Sequence, residues 1–291
     1  MATRRTTWVL GAFFVLFVLF MYGPMLCMAV LSLQDTYGSQ TFPARGLFST
    51  HWYSELASDQ LQSVRDAIGV SVRLSLVVAL ITGFLSLSLG MAFRQRFFGS
   101  GLLFYGILLS LMTPGILVSL GLSLLWYYLG REPGTYSTAL GVQAVWALPF
   151  GFLVMTAVFN RYDARAEEAA RDLGASSLIT FREVTLPIVW TCVFGAALFG
   201  FTLAWNEFER TFLVSGPTQT LPLEIFRITS ASVLRPYVYS LGVLTTLFSF
   251  LLIALFLVAT SIAARRSRAR AVEDSGDSMA LSSRPVGASA D

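Results

Sequence analysis

The sequence contains no lysine, one histidine and two cysteines, and each shortage excludes a kind of chemistry. Without lysine the chain cannot form the GxxxxGK[ST] loop that binds nucleotide phosphates, so it cannot hydrolyse ATP by that route. His51, Cys27 and Cys192 are too few for a metal cluster. The two cysteines fall near opposite ends of predicted membrane segments, so we expect no disulfide. Since HExxH, GxSxG and CxxC are also missing, the sequence predicts neither an enzyme nor a bound cofactor.

Charged residues are scarce, at 13% of the 291 residues, whereas 55% are hydrophobic. This composition is far more apolar than that of an ordinary globular domain, so a lipid bilayer must be the solvent. Six uncharged runs are each about 20 residues or longer, enough for a helix to cross the hydrocarbon. They are Thr6–Gln34, Leu74–Phe93, Phe97–Gly130, Pro133–Asn160, Val184–Asn206 and Pro236–Ala264. The sequence therefore predicts an all-α polytopic membrane protein with six transmembrane helices.

The predicted membrane core spans residues 67–262, after a first transmembrane helix and outer loop in residues 1–66. The apolar run behind Arg4 and Arg5 is too long for a signal peptide and lacks a small-x-small cleavage site, so we expect an uncleaved helix. Apolar residues between Leu47 and Leu61 predict a helix lying along the membrane surface. Residues 263–291 are rich in Arg, Ser, Gly and Asp, which predicts a disordered tail.

Prolines interrupt two of the predicted spans. Pro114 lies within the third span, in Thr113-Pro114-Gly115, and Pro149 lies within the fourth. Proline frees a backbone carbonyl in a membrane helix, which neighbouring helices or a cavity must satisfy. Each span is therefore predicted to be kinked, either for packing alone or to let the helices rearrange.

All 20 basic residues are arginines, and their distribution predicts the orientation of the chain. With both termini in the cytoplasm, 13 arginines lie inside and six in the outer loops, with Arg73 at the outer end of the second span. The positive-inside rule favours this arrangement, in the plasma or inner membrane of a cell. The arginines thus have a topological role, and no basic stripe with interleaved aromatics predicts nucleic-acid binding.

The polar loop 160–187 lies between the fourth and fifth spans and is cytoplasmic in this orientation. Residues Asp163 to Leu173 are mostly good helix formers, with acids early and Arg171 late, as the helix dipole favours. Gly174 is expected to end that helix, and Pro187 to begin the next span. Glu168 is the candidate for a charged contact with a partner, although it could also serve only to cap the helix.

The chain lacks an energy source of its own. A secondary transporter normally carries ionisable groups near the bilayer midplane, and the six uncharged runs leave none there. Energy must then come from a partner, and the loop 160–187 is the feature suited to receive it. A short helix held between two membrane helices can lie in a partner's groove and transmit its movement.

The outer end of the fifth span is the candidate site of substrate contact. Aromatic, amide and acidic side chains follow one another there: Trp205, Asn206, Glu207, Phe208 and Glu209. Aromatic faces and carboxylates together hold cations by charge and cation–π attraction. An aromatic belt with solvated acids explains the same residues equally well.

The loop resembles the cytoplasmic motif of ABC importer permeases in Glu168-Ala169-Ala170, in Gly174 and in Val184-x-Leu186-Pro187, with valine at the usual isoleucine position. A longer stretch, from about Ser71 to Phe250, resembles the second permease of polyamine importers. It is carried by LMTPGILVSLGLSL, EEAARDLGASSLITFREVTLP and FLVSGPTQTLPLEIF.

The resemblance implies the six-helix type I (MetI-like) transmembrane domain. It also implies a second permease subunit, identical or different, two ATPase subunits and an extracytoplasmic solute-binding protein. The residues that it assigns to ATPase coupling are Glu167, Glu168, Ala169, Ala170, Gly174, Leu186 and Pro187.

The sequence departs from the polyamine permeases at the end of the fifth span. Those permeases tend to carry adjacent aspartates there, whereas this chain has Asn206 and Glu207, which is more similar to sugar-importer permeases. The longer stretch implies an importer of spermidine or putrescine. The departure at Asn206 makes a sugar-type importer the alternative. An ion-coupled secondary transporter is the third possibility.

Overall fold

A computed structural model of the protein describes residues 4–34, 49–56, 62–231 and 237–282. Within these ranges the chain is helical, with two short π-helical segments and no strand. It divides into two compact units, Met1–Thr245 and Thr246–Asp291. The predicted domain boundaries at residues 66 and 262 stay predictions.

The helices follow the predicted order. They are α1 (Arg4–Ser32), α2 (His51–Leu56), α3 (Gln62–Ala92), α4 (Ser100–Met112), α5 (Gly115–Tyr128), α6 (Leu140–Phe159), α7 (Arg165–Asp172), α8 (Ser177–Thr180), α9 (Leu186–Trp205), α10 (Leu221–Ala231) and α11 (Tyr237–Ser282). The π-helical segments Thr135–Ala139 and Phe181–Thr185 lead directly into α6 and α9. Five helical stretches are long and apolar enough to cross a membrane, or six if α4 and α5 form one span. The predicted fold class is thereby confirmed.

The third span is broken rather than kinked. Its two halves, α4 and α5, are bent by 103° relative to each other. Thr113 and Pro114 are both extended at the break, with ψ of 123° and 126°. Proline disfavours the helical conformation in the residue before it and lacks a backbone donor of its own, so the helix stops there. Around Pro149, by contrast, α6 continues through the proline.

Helices α3, α6 and α9 pack together as the centre of the first unit. Small residues let their backbones approach closely, as in many membrane bundles. A Cβ added to Gly200 of α9 would lie 2.7 Å from Thr82 Oγ1 of α3, and one added to Gly90 of α3 would lie 2.8 Å from Met155 Cβ of α6. Side chains larger than hydrogen do not fit at these contacts.

The peripheral helices expose their apolar side chains, as a bilayer solvent requires. In each candidate span we compare the most apolar stretch of 18 residues. Half of this stretch is buried in α3, and half is buried in the continuous span Thr135–Phe159, which contains α6. None of it is buried in α1. Large side chains of α1 such as Trp8, Phe14 and Phe20 are more than half exposed. The buried core therefore lies among α3, α6 and α9, and α1 exposes its apolar side chains to the surrounding lipid.

Two regions differ from the sequence-based expectation. Of the surface helix predicted between Leu47 and Leu61, the structure describes α2, which buries Trp52 and Leu56, and residues 47–48 and 57–61 lie outside the described ranges. Disorder is predicted from residue 263 onward, yet α11 continues to Ser282. Ala263, Ala264 and the following arginines are good helix formers, which favours this extension. For residues 283–291, outside the described ranges, disorder stays a prediction.

We predict opposite effects for two glycine-to-alanine substitutions in α6. Gly151→Ala places a Cβ against the Ser86 side chain and 3.1 Å from Thr82 Cγ2, whereas nothing lies within 4 Å of a Cβ at Gly141. Gly151→Ala should destabilise the chain by about 1–3 kcal/mol through overpacking. Gly141→Ala should be neutral or slightly stabilising because alanine is the better helix former. Thermal unfolding in detergent checks both, and equal midpoints for the two variants would contradict the packing described here.

Candidate functional site

The loop 160–187 holds a short helix, α7, between α6 and α9. Asp163 Oδ1 accepts a hydrogen bond from the backbone N–H of Arg165 at 3.0 Å, which satisfies one donor at the start of the helix. Glu167 and Glu168 lie in the first turn and Arg171 in the last. The acids are therefore at the positive end of the helix dipole and the arginine at its negative end, which stabilises the helix. The predicted helix and its polarity are both present.

Gly174 ends this helix as predicted. It adopts the left-handed conformation, with φ of 87°. The backbone N–H of Ala175 donates to the carbonyl of Ala170 at 3.0 Å, and that of Gly174 donates to the carbonyl of Arg171 at 2.9 Å. This pair of bonds is a Schellman motif, which favours glycine at its left-handed position. The chain can then turn back towards the membrane through α8.

Glu167 anchors the loop to the core. Arg94, just beyond α3, donates to both carboxylate oxygens, at 2.8 and 3.1 Å. Thr185 Oγ1, in the π-helical segment before α9, donates to Glu167 Oε1 at 2.7 Å. The Arg94 guanidinium also lies over the rings of Phe159 and Tyr162, at 5.5 and 5.0 Å from their centroids. One buried carboxylate thus joins α7 to the ends of α3, α6 and α9.

The Glu167 carboxylate remains charged at this buried position. Burial by itself raises its pKa, because desolvation disfavours the charged form. Hydrogen bonds from Arg94 and Thr185 have the opposite effect and together outweigh burial, so the pKa falls to about 2. The anchor is therefore ionised throughout the physiological pH range.

Next to the anchored Glu167, α7 also has exposed residues. Glu168 and Ala169 are exposed, and within the described part of the chain the Glu168 carboxylate has no hydrogen bond or ion pair; the Glu168 backbone N–H donates to the carbonyl of Ala164 at 3.1 Å. Leu173 and Leu178 beside them are 90% and 75% exposed. We call Glu168, Ala169, Leu173 and Leu178 the outward face of the loop. Of the other predicted coupling residues, Ala170 and Leu186 are half-buried, and Pro187 is exposed in the first turn of α9.

A cavity of about 700 Å³ opens beside the anchor. Its walls come from the end of α3, the end of α6, the loop helix and the π-helical segment before α9. The charged side chains on these walls are Arg94, Glu167, Glu168 and Arg171. The cavity therefore lies between the loop and the ends of α3 and α6, beside the Glu167–Arg94 pair.

The structure separates the five residues predicted at the outer end of α9. Trp205 is buried and stacks on Phe201, with ring centroids 6.2 Å apart. Asn206 is exposed, and its side chain donates to the carbonyl of Thr202 at 3.0 Å. Glu209 is exposed. The predicted row of cation-binding groups therefore does not share one surface.

Glu207 and Phe208 have partners inside the protein. The Glu207 carboxylate is buried and forms an ion pair with Arg210, with an N–O distance of 3.3 Å. Phe208 packs among Phe212 and Phe226, with ring centroids 5.3 and 5.0 Å away. The cation–π contact of this region belongs to Arg210, whose guanidinium carbon lies 3.6 Å from the centroid of the Trp146 ring.

Three of the polar residues in these sites were missed at the level of sequence. Arg94 and Thr185 pair with Glu167 over 73 and 18 residues of chain, and no local pattern links them. From the sequence, Arg210 is one of the six arginines of the predicted outer loops. Its spacing of three residues from Glu207 at a helix end is a signal that could have indicated the ion pair.

Comparisons with known proteins find relatives of this sequence and a solved structure with this fold. The chain matches no protein-family model. It is 27% identical over 259 residues to the spermidine/putrescine transport system permease protein PotC of Escherichia coli K12, which covers 88% of this chain and 93% of that protein. It is 29% identical over 216 residues to the putrescine transport system permease protein PotI of the same organism, with 71% and 75% covered.

A solved structure has the same fold. It is a bacterial ABC transporter involved in the import of the acidic polysaccharide alginate, with a TM-score of 0.61 at 15% identity. The match covers 92% of this chain and 98% of that one.

The chain is an integral membrane protein whose fold is that of an ABC importer transmembrane domain. It is related to the permeases named for spermidine and putrescine transport, as its sequence predicts. The prediction of a transport subunit rather than an enzyme is likewise confirmed.

We predict that Glu167→Gln loosens the loop and that Glu168→Gln does not. The first substitution removes the charged partner of Arg94, whose side chain is only 21% exposed, whereas the second changes an exposed side chain. Breaking a buried pair costs about 3 kcal/mol. Hydrogen exchange of the amides between residues 165 and 185 should therefore accelerate in Glu167→Gln alone. The exchanged pair Arg94→Glu/Glu167→Arg should restore part of the protection, and unchanged exchange in Glu167→Gln would contradict the anchor.

Proposed function

We propose that this chain is one half of the pore of an ATP-driven importer for small polyamines of the spermidine and putrescine class. The observation that supports coupling to an ATPase is the arrangement of the loop helix. Glu167 is buried and bonded to Arg94, whereas the neighbouring Glu168 and Ala169 are exposed to a partner. The substrate class is supported by the named relatives, which cover most of the chain.

The proposed assembly contains a second permease subunit, two ATPase subunits and an extracytoplasmic solute-binding protein. The outward face of the loop docks in a groove of the ATPase. Ala169 and Ala170 permit close approach because their side chains are small, and Leu173 and Leu178 supply apolar area. Glu168 supplies a charge for pairing, as helix-in-groove contacts use.

The anchor transmits the movement of the ATPase. When nucleotide closes the ATPase subunits, the loop follows them. Arg94 carries the displacement to α3, and Thr185 carries it to α9. Close packing at Gly90 and Gly200 makes α3, α6 and α9 respond together, because packed interfaces transmit strain rather than absorb it. The pore then opens to the binding protein.

We expect Gly174→Asp to uncouple transport, with Gly99→Asp as its matched control. Both glycines have positive φ, 87° and 82°, and nothing within 4 Å of an added Cβ, so the backbone strain is alike. Only Gly174 lies in the docking loop. In proteoliposomes with the ATPase and binding protein, Gly174→Asp should lower spermidine uptake by tenfold or more, whereas Gly99→Asp should retain most of it. Undiminished uptake by Gly174→Asp would argue against docking through this loop.

The same proteoliposomes distinguish the alternatives for substrate and energy. Sugar uptake without polyamine uptake would favour a sugar-type importer, which the Trp205-Asn206-Glu207 sequence allows. Uptake driven by an ion gradient in the absence of nucleotide would favour a secondary transporter. The proposal requires both nucleotide and a polyamine-loaded binding protein.

We also propose that both termini and the loop face the cytoplasm of the cell's inner or plasma membrane, as the arginine distribution favours. In a background with Cys27 and Cys192 replaced by serine, Glu168→Cys introduces a thiol at an exposed position. A membrane-impermeant maleimide should label it in inside-out vesicles and leave it unlabelled in intact cells. Tyr136→Cys, at the exposed outer start of the fourth span, should show the reverse pattern. Labelling of Glu168→Cys in intact cells would overturn the orientation and the coupling together.

A further inference from the structure

Arg210 fills a pocket formed by three separate elements. Its guanidinium carbon lies 3.6 Å from the ring centroid of Trp146 in α6. The Glu207 carboxylate, just beyond α9, lies 3.3 Å away, and the arginine side chain is only 11% exposed. At the start of α5, a Cβ added to Gly115 would lie 2.8 Å from Arg210 Cγ and 3.0 Å from Cζ. The arginine is therefore enclosed by an aromatic face, a carboxylate and a helix end.

An aromatic face beside a buried carboxylate is a general recognition site for organic cations. The ring attracts positive charge through its quadrupole, and the carboxylate supplies the opposite charge and hydrogen-bond acceptors. Primary ammonium and guanidinium groups both satisfy this chemistry. In the present conformation the cation is a side chain of the protein itself.

The walls of the pocket are held without the guanidinium. Ser119 Oγ donates to the backbone carbonyl of Arg210 at 2.6 Å, which docks α5 on the chain beyond α9. Gln143 Nε2 donates to Thr211 Oγ1 at 2.7 Å, which holds the same stretch against α6. The backbone N–H of Arg210 donates to Glu207 Oε1 at 2.9 Å and so orients the carboxylate. These three hydrogen bonds do not involve the guanidinium, so they can still form when the side chain of Arg210 is replaced.

Within the described residues, the ion pair of the Arg210 guanidinium is with Glu207 and its cation–π contact is with Trp146. Its guanidinium lies against Gly115, the first residue of α5, where the helix dipole presents its positive end. This end favours anions and opposes a cation. A second cation of matching chemistry can thus compete with the side chain for the same two partners.

We propose that Trp146 and Glu207 form a cation site, that Arg210 occupies it in this conformation, and that the primary ammonium or guanidinium group of a solute takes its place when Arg210 moves away. The site deepens the proposed function and rests on it for the identity of the natural solute. Its capacity to bind cations can be measured without transport.

The test uses Arg210→Met, which keeps the aliphatic length of the side chain and removes its charge, in the purified permease assembly in detergent. Methylguanidinium and ethylammonium chlorides are titrated while thermal unfolding is followed, with sodium chloride at equal ionic strength as reference. A vacant cation site should give a saturable rise in Tm of about 2–4 °C, because a ligand that binds only the folded state stabilises it. The wild-type assembly should show a smaller rise, and only at higher ligand concentration, since the ligand must compete with Arg210 for the site.

Two controls identify the site. Arg210→Met/Glu207→Gln lacks the carboxylate and should not respond. Arg227→Met removes the arginine of another ion pair of the same spacing, with Glu224, whose guanidinium side chain is 56% exposed, and it should not respond either. Absence of a saturable rise in Arg210→Met, or an equal rise in either control, overturns the inference.

If Arg210→Met cannot be purified, the same ligands are supplied to cells that produce the variant fused to a fluorescent protein. An increase in folded, membrane-inserted fluorescence with methylguanidinium, absent from the double variant, supports the site, and no increase overturns it. Since neither assay measures uptake, failure of the site leaves the proposed importer function standing, and failure of polyamine uptake leaves the binding result standing.

Discussion

The buried carboxylate of Glu167 is the constraint on which the loop 160–187 and the helix ends around it depend. A charge removed from water must find compensating partners, and here these come from three different parts of the chain: Arg94, Thr185 and the loop helix itself. The requirement fixes how α7 is rotated. Because α7 cannot turn without exposing or unpairing Glu167, its other face is always presented outward. A single inward charge thus determines which residues a partner can meet.

Helix α9 has a buried glutamate–arginine contact at each end. Thr185, immediately before it, bonds to the Glu167–Arg94 pair, and Glu207–Arg210 lies immediately after it. Between them the helix packs on α3 with no room for a side chain at Gly200. Movement imposed at one end is therefore passed along a rigid, close-packed helix to the other. In the proposed mechanism, the loop and the Glu207–Arg210 pair are coupled by packing rather than by a chain of polar contacts.

The sequence predicts the membrane helices and the end of the loop helix, but it does not predict which polar side chains pair with each other. Runs of apolar residues predict the membrane helices because the bilayer thickness sets their length, and Gly174 ends α7 because only glycine adopts its backbone conformation freely. Which of Glu167 and Glu168 points inward could not be read from composition, since adjacent helical residues face different directions and the deciding partner, Arg94, is 73 residues away. Arg210 was likewise missed because its binding surface, Trp146, belongs to another helix. The break at Thr113–Pro114 was expected only as a kink, since its 103° angle depends on where α5 docks.

That break determines which wall of the outer pocket can move. Trp146 belongs to α6, which is packed into the three-helix centre, and Glu207 follows α9 of the same centre, so these two walls shift together. The third wall, at Gly115, belongs to α5, which is joined to α4 through Thr113 and Pro114 without helical hydrogen bonds at the joint. Within the described residues, Val118 and Leu122 of α5 pack on the cluster of Ala139, Val142 and Val214, and Ser119 Oγ donates to the backbone carbonyls of Glu209 and Arg210. A rotation of α5 about this joint can therefore release Arg210 while its aromatic and acidic partners stay in register.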